Sequence, residues 1–177
     1  MMYYSASMNT LDESLMNAVK EGKLLESSRT NIRLLLDGTK SPIAREAVEE
    51  LVAAGEWQEL NDRFYKTLAF GTGGLRGRTI GSIVTRAEQG NGGVNGRPEY
   101  PCVGTACMNY FNVGRAMRGL IIYVKKHVET TDPGRKPRLV IGHDTRHFSR
   151  DFAEFCAKIG TDLGCDIYLF DKIGRAS

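Results

Sequence analysis

The sequence predicts an α/β protein whose parallel sheet follows a helical amino-terminal segment. Three observations carry that prediction. Residues Leu11 to Leu68 are rich in Glu, Lys, Leu and Ala and are broken at intervals by glycine. Apolar residues recur at spacings of three and four after Asn109. A β-branched run, an amphipathic helix and a second apolar run then succeed one another between residues 138 and 170.

The amino-terminal stretch divides into short helices, with breaks at Glu21-Gly22, Asp37-Gly38 and Gly55, because glycine punctuates helices. Ser41-Pro42 starts one of them, with Ser41 at the N-cap and Pro42 at the first helical position, where its missing N–H costs nothing. Ile43, Ala47, Leu51 and Val52 are expected on its buried face, and Trp57 is expected to anchor the segment on the rest of the chain. No chemistry is assigned here. Between Arg86 and Met108 the composition turns to Gly, Asn, Pro and Glu, which predicts a long surface loop. From Asn109 to His127, Tyr110, Val113, Met117, Leu120, Ile121 and Val124 mark an amphipathic helix, in which Gly114 and Gly119 suggest close packing against a neighbour. Arg138–Gly142 and Asp166–Phe170 read as strands. They flank a helix capped by Ser149, ended by Gly164 and buried through Phe152, Phe155, Cys156, Ile159 and Leu163. That order is a βαβ unit, which implies parallel pairing. Ligands of such sheets meet the loops at the carboxyl ends of the strands, here His143-Asp144-Thr145-Arg146-His147.

The run Phe70-Gly71-Thr72-Gly73-Gly74-Leu75-Arg76-Gly77 sets a glycine turn against an arginine. Glycines allow positive φ and present backbone N–H groups, and a guanidinium offers paired donors that match phosphate oxygens. The competing reading is a structural hairpin carrying a solvated arginine. The run is neither G-x-G-x-x-G, since Arg76 stands at the third glycine, nor a P-loop, since no G-x-x-x-x-G-K-[ST] occurs in the chain.

Composition narrows the function classes. The chain has 177 residues, 41% of them apolar and 25% charged, which suits a soluble globular domain. A net charge of +3 from 24 basic and 21 acidic residues speaks against nucleic acid as a partner. The four cysteines, Cys102, Cys107, Cys156 and Cys165, form no C-x-x-C pair and read as thiols of a reducing compartment. Without a leader-like start or a membrane-length apolar stretch, the expected location is the cytoplasm, with no membrane partner.

Three ordered motifs resemble the α-D-phosphohexomutase superfamily, the phosphoglucomutases and phosphomannomutases, in the amino-terminal part of their first domain. Phe70 to Gly77 is similar to F-G-T-[SAG]-G-L-R-G. Gly104-Thr105-Ala106-Cys107-Met108-Asn109 is similar to G-T-N-R-M-N, with Cys107 where the family has arginine. Val140 to Ser149 is similar to V-[IV]-G-x-D-[ST]-R-x-x-S. The resemblance covers about residues 60 to 170. It implies an incomplete three-layer α/β/α domain I over residues 61–177 with a mainly parallel sheet, and a helical extension over residues 1–60. It also implies an isomerase-type reaction in which a phosphoserine exchanges phosphoryl groups with a hexose phosphate, with Mg2+ polarising the moving group. Arg76 is assigned to the phosphoserine or the transferring phosphate, with Thr72, Gly73 and Gly74 shaping the turn. Arg146 is a further phosphate-binding candidate, although pairing with Asp144 to order its own loop is the first role expected of it.

The serine motif T-x-S-H-N-P, the metal motif D-G-D-x-D-R and the sugar-reading G-E-x-S-G-H do not occur in these residues. No catalytic residue or metal ligand is therefore assigned. Ser177 is read as a chain end. The expectation is a fragment that binds a phosphorylated sugar without turning it over and lacks the remaining mutase domains; the alternative is a non-catalytic phosphate-binding or interaction module. A small metal site at His143, Asp144 and His147 is a lesser alternative.

Overall fold

A computed structural model describes residues 3–71, 73–93 and 96–171. They belong to two compact units, Met1–Asn109 and Tyr110–Ser177.

The first unit opens with four helices, α1 (Tyr3–Lys20), α2 (Glu26–Gly38), α3 (Pro42–Ala53) and α4 (Trp57–Phe64). The ends of α1, α2 and α3 fall at the predicted glycine breaks, and Gly22 and Gly55 take φ of 71° and 72°, a region that only glycine enters freely. In α2, Ser28, Ile32 and Leu35 share the buried stripe. In α3 the buried residues are Ala44, Ala47, Val48 and Leu51. The stripe is thus rotated from the expected one, and Ile43 and Val52 are only half-buried. Ser41 occupies the N-cap and Pro42 the first turn, but the Ser41 side chain makes no capping bond. Trp57 is half-buried, and the anchoring role passes to Leu60 and Phe64 of the same helix, both fully enclosed.

After α4 come a small antiparallel hairpin, β1 (Phe70–Gly71) with β2 (Gly74–Leu75), and the short helix α5 (Arg86–Gln89). The segment from Arg86 to Met108 corrects the expectation of a surface loop in part: residues 89–92 and Gly96 are exposed as expected, whereas its later residues are largely enclosed. Thr85 and Glu88 form a reciprocal capping box at α5, and Glu88 and residues 101–105 are buried. Breaker-rich backbone can be buried when its polar groups find partners. Here Val103 N–H donates to Glu88 Oε1 at 2.7 Å, Cys102 N–H to Thr79 O at 2.8 Å and Met108 N–H to Arg78 O at 3.0 Å.

The second unit contains α6 (Tyr110–Thr131), β3 (Arg138–Ile141), α7 (Ser149–Asp162) and β4 (Asp166–Leu169). The two strands pair in parallel, Arg138 opposite Asp166 through Ile141 opposite Leu169, as the βαβ reading requires. Met117 and Ile121 of α6 pack with Ile159 and Cys165, and Leu139, Ile141 and Ile167 of the sheet lie against them. Gly114 gives the close approach expected of it, since a Cβ there would lie 3.1 Å from the Phe155 ring. Gly119 does not: a Cβ there would meet nothing, and Leu120 is exposed. Phe148, not Ser149, is the N-cap of α7, at φ 65°, while Ser149 Oγ accepts the Asp144 N–H at 3.1 Å. Gly164, at φ 84°, closes α7 as expected. Among the described residues the architecture is mixed α/β with two two-stranded sheets. The parallel sheet extends no further there, and no helix is long and apolar enough to cross a membrane.

Candidate phosphate-binding site

The hairpin of the first unit is shaped by backbone angle. Gly73 and Gly74 have φ of 82° and 145°, and a Cβ at either would touch nothing, so glycine is required there by conformation alone. Thr72, also named from sequence, lies outside the described residues. Gly77 is required for space: a Cβ there would come within 2.9 Å of Ala106 O and 3.0 Å of Met108 N. The chain leaving the hairpin is therefore seated directly on residues 106–108.

That seating places Arg76 on a cavity of about 690 Å³ that Lys66, Arg78, Asn61, Asp62 and Ala106 also line. The cations differ in how far they are already engaged. Lys66 Nζ stands 4.9 Å above the Tyr65 ring. Arg78 donates to Ser82 Oγ at 3.0 Å and lies 3.1 Å from Glu59 Oε1. Asn61 spends its side chain on the Leu25 N–H and the Lys23 carbonyl, both at 2.9 Å. Arg76 is exposed and has no hydrogen bond or ion pair among the described residues. Its full donor fork remains available to an anion.

Beneath the cavity is a buried charge cluster that the sequence motifs do not announce. Arg63, fully buried, donates from Nε to Glu59 Oε1 at 2.7 Å, from Nη1 to Glu88 Oε1 at 2.5 Å and from Nη2 to the Ile83 carbonyl at 2.5 Å. The Arg63 carbonyl in turn accepts the Ala106 N–H at 2.9 Å. One readable signal was available in Thr85-Arg86-Ala87-Glu88, which has the spacing of a capping box. Cys107, which stands where the family has arginine, is also in this layer, and its sulfur lies 3.2 Å from that of Cys102.

Arg146 belongs to the second unit, in the loop after β3, beside a cavity of about 390 Å³. Its Nε donates to Asp144 Oδ2 at 2.7 Å and its backbone N–H to Asp144 Oδ1 at 3.1 Å, which is the loop-ordering pair read from sequence. Asp144 is held below the usual carboxylate range by the Arg146 backbone N–H first, then by Ser149. Gly73, Gly74 and Arg76 thus share one turn, and Arg146 belongs to the other unit. Among the described residues no three His, Cys, Asp or Glu side chains converge so as to hold a metal ion, His143, Asp144 and His147 included.

The βαβ unit and the loop carrying Asp144 and Arg146 lie within the part of the chain that matches a known family of α/β domains. The profile of phosphoglucomutase/phosphomannomutase, alpha/beta/alpha domain I, matches residues 86–174, half of the chain. The chain belongs to that family. The match includes Arg146 and begins after the hairpin that carries Arg76. A Schizosaccharomyces pombe protein described as "Probable phosphoribomutase" is 30% identical over 129 residues, which is 73% of this chain and 18% of the relative. The chain therefore spans about a fifth of that relative's length. No solved structure matches it.

Proposed function

We propose that this chain provides a phosphate-binding part of a phosphosugar mutase, an isomerase that moves a phosphoryl group between two positions of one sugar. Arg76 is its main anion contact. The observation that carries this reading is a guanidinium on a glycine turn, unpaired among the described residues, at the rim of a cavity that Lys66 and Arg78 also line. A transferring phosphoryl group needs fixed cations and N–H donors at its oxygens. The name of the fission-yeast relative supports a pentose phosphate as substrate, and the family description supports a hexose phosphate. A phosphorylated sugar is the shared chemistry.

The 177 residues hold neither T-x-S-H-N-P nor D-G-D-x-D-R. On this reading they bind without turnover, and the phosphoserine and Mg2+ ligands lie in other residues of the mutase. We also place the start of the homologous domain I near residue 61, with residues 1–60 as an extension. The second unit would then be the beginning of a three-layer α/β/α domain in the cytoplasm. Val140, Tyr168 and Phe170 favour the missing layer, because they expose 66%, 56% and 59% of their surface on and beside the parallel strands.

Titration of the chain with a hexose bisphosphate and with ribose 5-phosphate at low salt, monitored by amide chemical shifts, tests the assignment. Saturable shifts are expected at residues 73–78 and Ala106. Arg76→Ala should weaken binding about tenfold to a hundredfold, the equivalent of about 1.5–3 kcal/mol for a hydrogen bond to a charged group, with the fold intact because the residue is exposed. Unchanged affinity in that variant, or shifts confined to the Arg146 loop, would remove Arg76 from the role.

A further inference from the structure

We propose that Cys102 and Cys107 form an oxidation site, a buried dithiol that a peroxide converts to a disulfide behind the cavity of Arg76. The sulfurs are 3.2 Å apart and neither is in a disulfide. A disulfide needs about 2.05 Å, so closing the bond asks for an approach of roughly 1 Å.

The loop between the two residues is already bent for it. Asn109 Nδ2 donates to both the Cys102 and the Gly104 carbonyls, at 2.9 and 2.8 Å. Gly104 lies so close to Arg63 that a Cβ would come within 2.7 Å of the Arg63 carbonyl. The two ends of the loop are thus held facing each other by contacts that involve neither sulfur.

The charged surroundings distinguish the two thiols. Arg63 and Arg78 act on the pair, and they are themselves paired, Arg63 with Glu59 and Glu88 and Arg78 with Glu59. The Cys107 thiol is held below its ordinary range by the hydrogen bond from Cys102, against the effect of burial, and then by Arg63 and Arg78. Cys102 is pushed up by its bond to Cys107 and by burial. Cys107 is therefore the attacking sulfur and Cys102 the resolving one. The Cys107 thiolate attacks one peroxide oxygen, forming an S–O bond and breaking O–O, with hydroxide leaving and taking up a proton. Cys102, deprotonated as it reacts, attacks the resulting sulfenic sulfur, forming S–S and breaking S–O, and a second water leaves. Two thiols and one hydrogen peroxide give one disulfide and two waters. With exposures of 1% and 0%, the pair admits a small neutral oxidant and excludes a bulky disulfide such as oxidised glutathione.

Closing the bond acts on the cavity through the residue next to Cys107. Ala106 lines the cavity and is tied to the Arg63 carbonyl, and Met108 is tied to the Arg78 carbonyl. Residues 106–108 are also the surface on which Gly77 sits.

The test is treatment of the 177-residue chain with hydrogen peroxide, then unfolding, alkylation of remaining thiols and peptide mapping without reductant. The expected result is a fall from four alkylatable thiols to two, with an intrachain bond joining Cys102 to Cys107 that dithiothreitol reverses. Cys107→Ser and Cys102→Ser should each abolish that bond, and amide shifts of Arg76, Gly77 and Ala106 should move on oxidation of the unsubstituted chain. Oxidation of Cys156 while Cys102 and Cys107 both stay alkylatable overturns the proposal, as does sulfinic acid at either without a disulfide. Thiol counting uses no sugar phosphate, so this result and that of the phosphate titration are independent.

Discussion

Arg63→Met is the substitution that most directly probes how the cavity is supported. Methionine approximates the arginine's length without its charge, so the variant keeps most of the packing and removes the cation from between two carboxylates. Glu59 and Glu88 are 4% and 1% exposed. Removing one partner of a buried ion pair costs about 3–5 kcal/mol, because the remaining charge is left without compensation. Residual partners place this case near the lower figure. Glu88 keeps the Val103 N–H at 2.7 Å and the Thr85 N–H and hydroxyl at 3.0 Å, and Glu59 keeps Arg78 at 3.1 Å. A loss of about 3 kcal/mol, with a urea slope of about 2 kcal/mol/M, lowers the midpoint by about 1.5 M. Urea unfolding monitored by the fluorescence of Trp57, the chain's single tryptophan and a residue of the same helix, reports this unit directly. A loss below about 1 kcal/mol at neutral pH would refute the assignment of Arg63 as the charge that holds this layer together.

Local geometry supplies two more tests. Gly119→Ala, where a Cβ meets nothing, should raise the stability of the second unit by up to about 1 kcal/mol on helix propensity, whereas Gly114→Ala, 3.1 Å from the Phe155 ring, should gain less or lose stability; equal effects in thermal unfolding would contradict the packing described. Glu50 accepts the Arg86 and Ala87 N–H groups at 2.9 Å each, and these bonds, working against burial, hold its carboxyl below the ordinary range. A depressed folded-state pKa stabilises above the unfolded value and ceases to do so as pH falls through the folded one. The stability difference between the unsubstituted chain and Glu50→Gln should thus be present at neutral pH and fade as pH falls below the ordinary glutamate range, and a difference that persists unchanged in acid would count against the cap.

The helical segment is legible in the sequence because its punctuation is local: Gly22 and Gly55 end helices through their own backbone preferences. The βαβ unit is legible for a similar reason, since two β-branched runs and a helix between them admit few arrangements. The Arg146–Asp144 pair spans two residues and needs no tertiary knowledge. What escapes is set by distance along the chain. Arg63 and Glu88 are 25 residues apart, and neither declares itself buried, because charged residues are mostly at the surface. The same pairing explains why the stretch after Arg86 is only in part the surface loop that its composition predicts: residues 89–92 are exposed, while the burial of residues 101–105 depends on a carboxylate and a guanidinium meeting Val103 and Ile83, and composition carries no trace of that. The stripe of α3 is rotated from the expected one because Ile43 and Val52 are better hydrophobes than Ala44, yet the small side chain is the one that fits against a neighbouring helix.

The arginines named from sequence as phosphate contacts are unequal in a way that residue type alone does not convey. A phosphate arriving at Arg146 meets a guanidinium whose Nε already serves Asp144, and that carboxylate is part of the loop's own backbone scaffold, so binding there must either displace an internal bond or use the remaining donors beside a negative charge. Arg78 carries a comparable burden from Glu59. Arg76 carries none among the described residues. An unpaired exposed cation contributes little to folding, since surface charges contribute little even when paired, and its placement on a turn that demands two positive-φ glycines has no evident packing return. Arg63 shows the opposite arrangement, a cation wholly consumed by the fold. The electrostatic distinction between an arginine wholly paired inside the fold and one left open on the cavity is the physical ground for ranking Arg76 first among the candidate phosphate contacts.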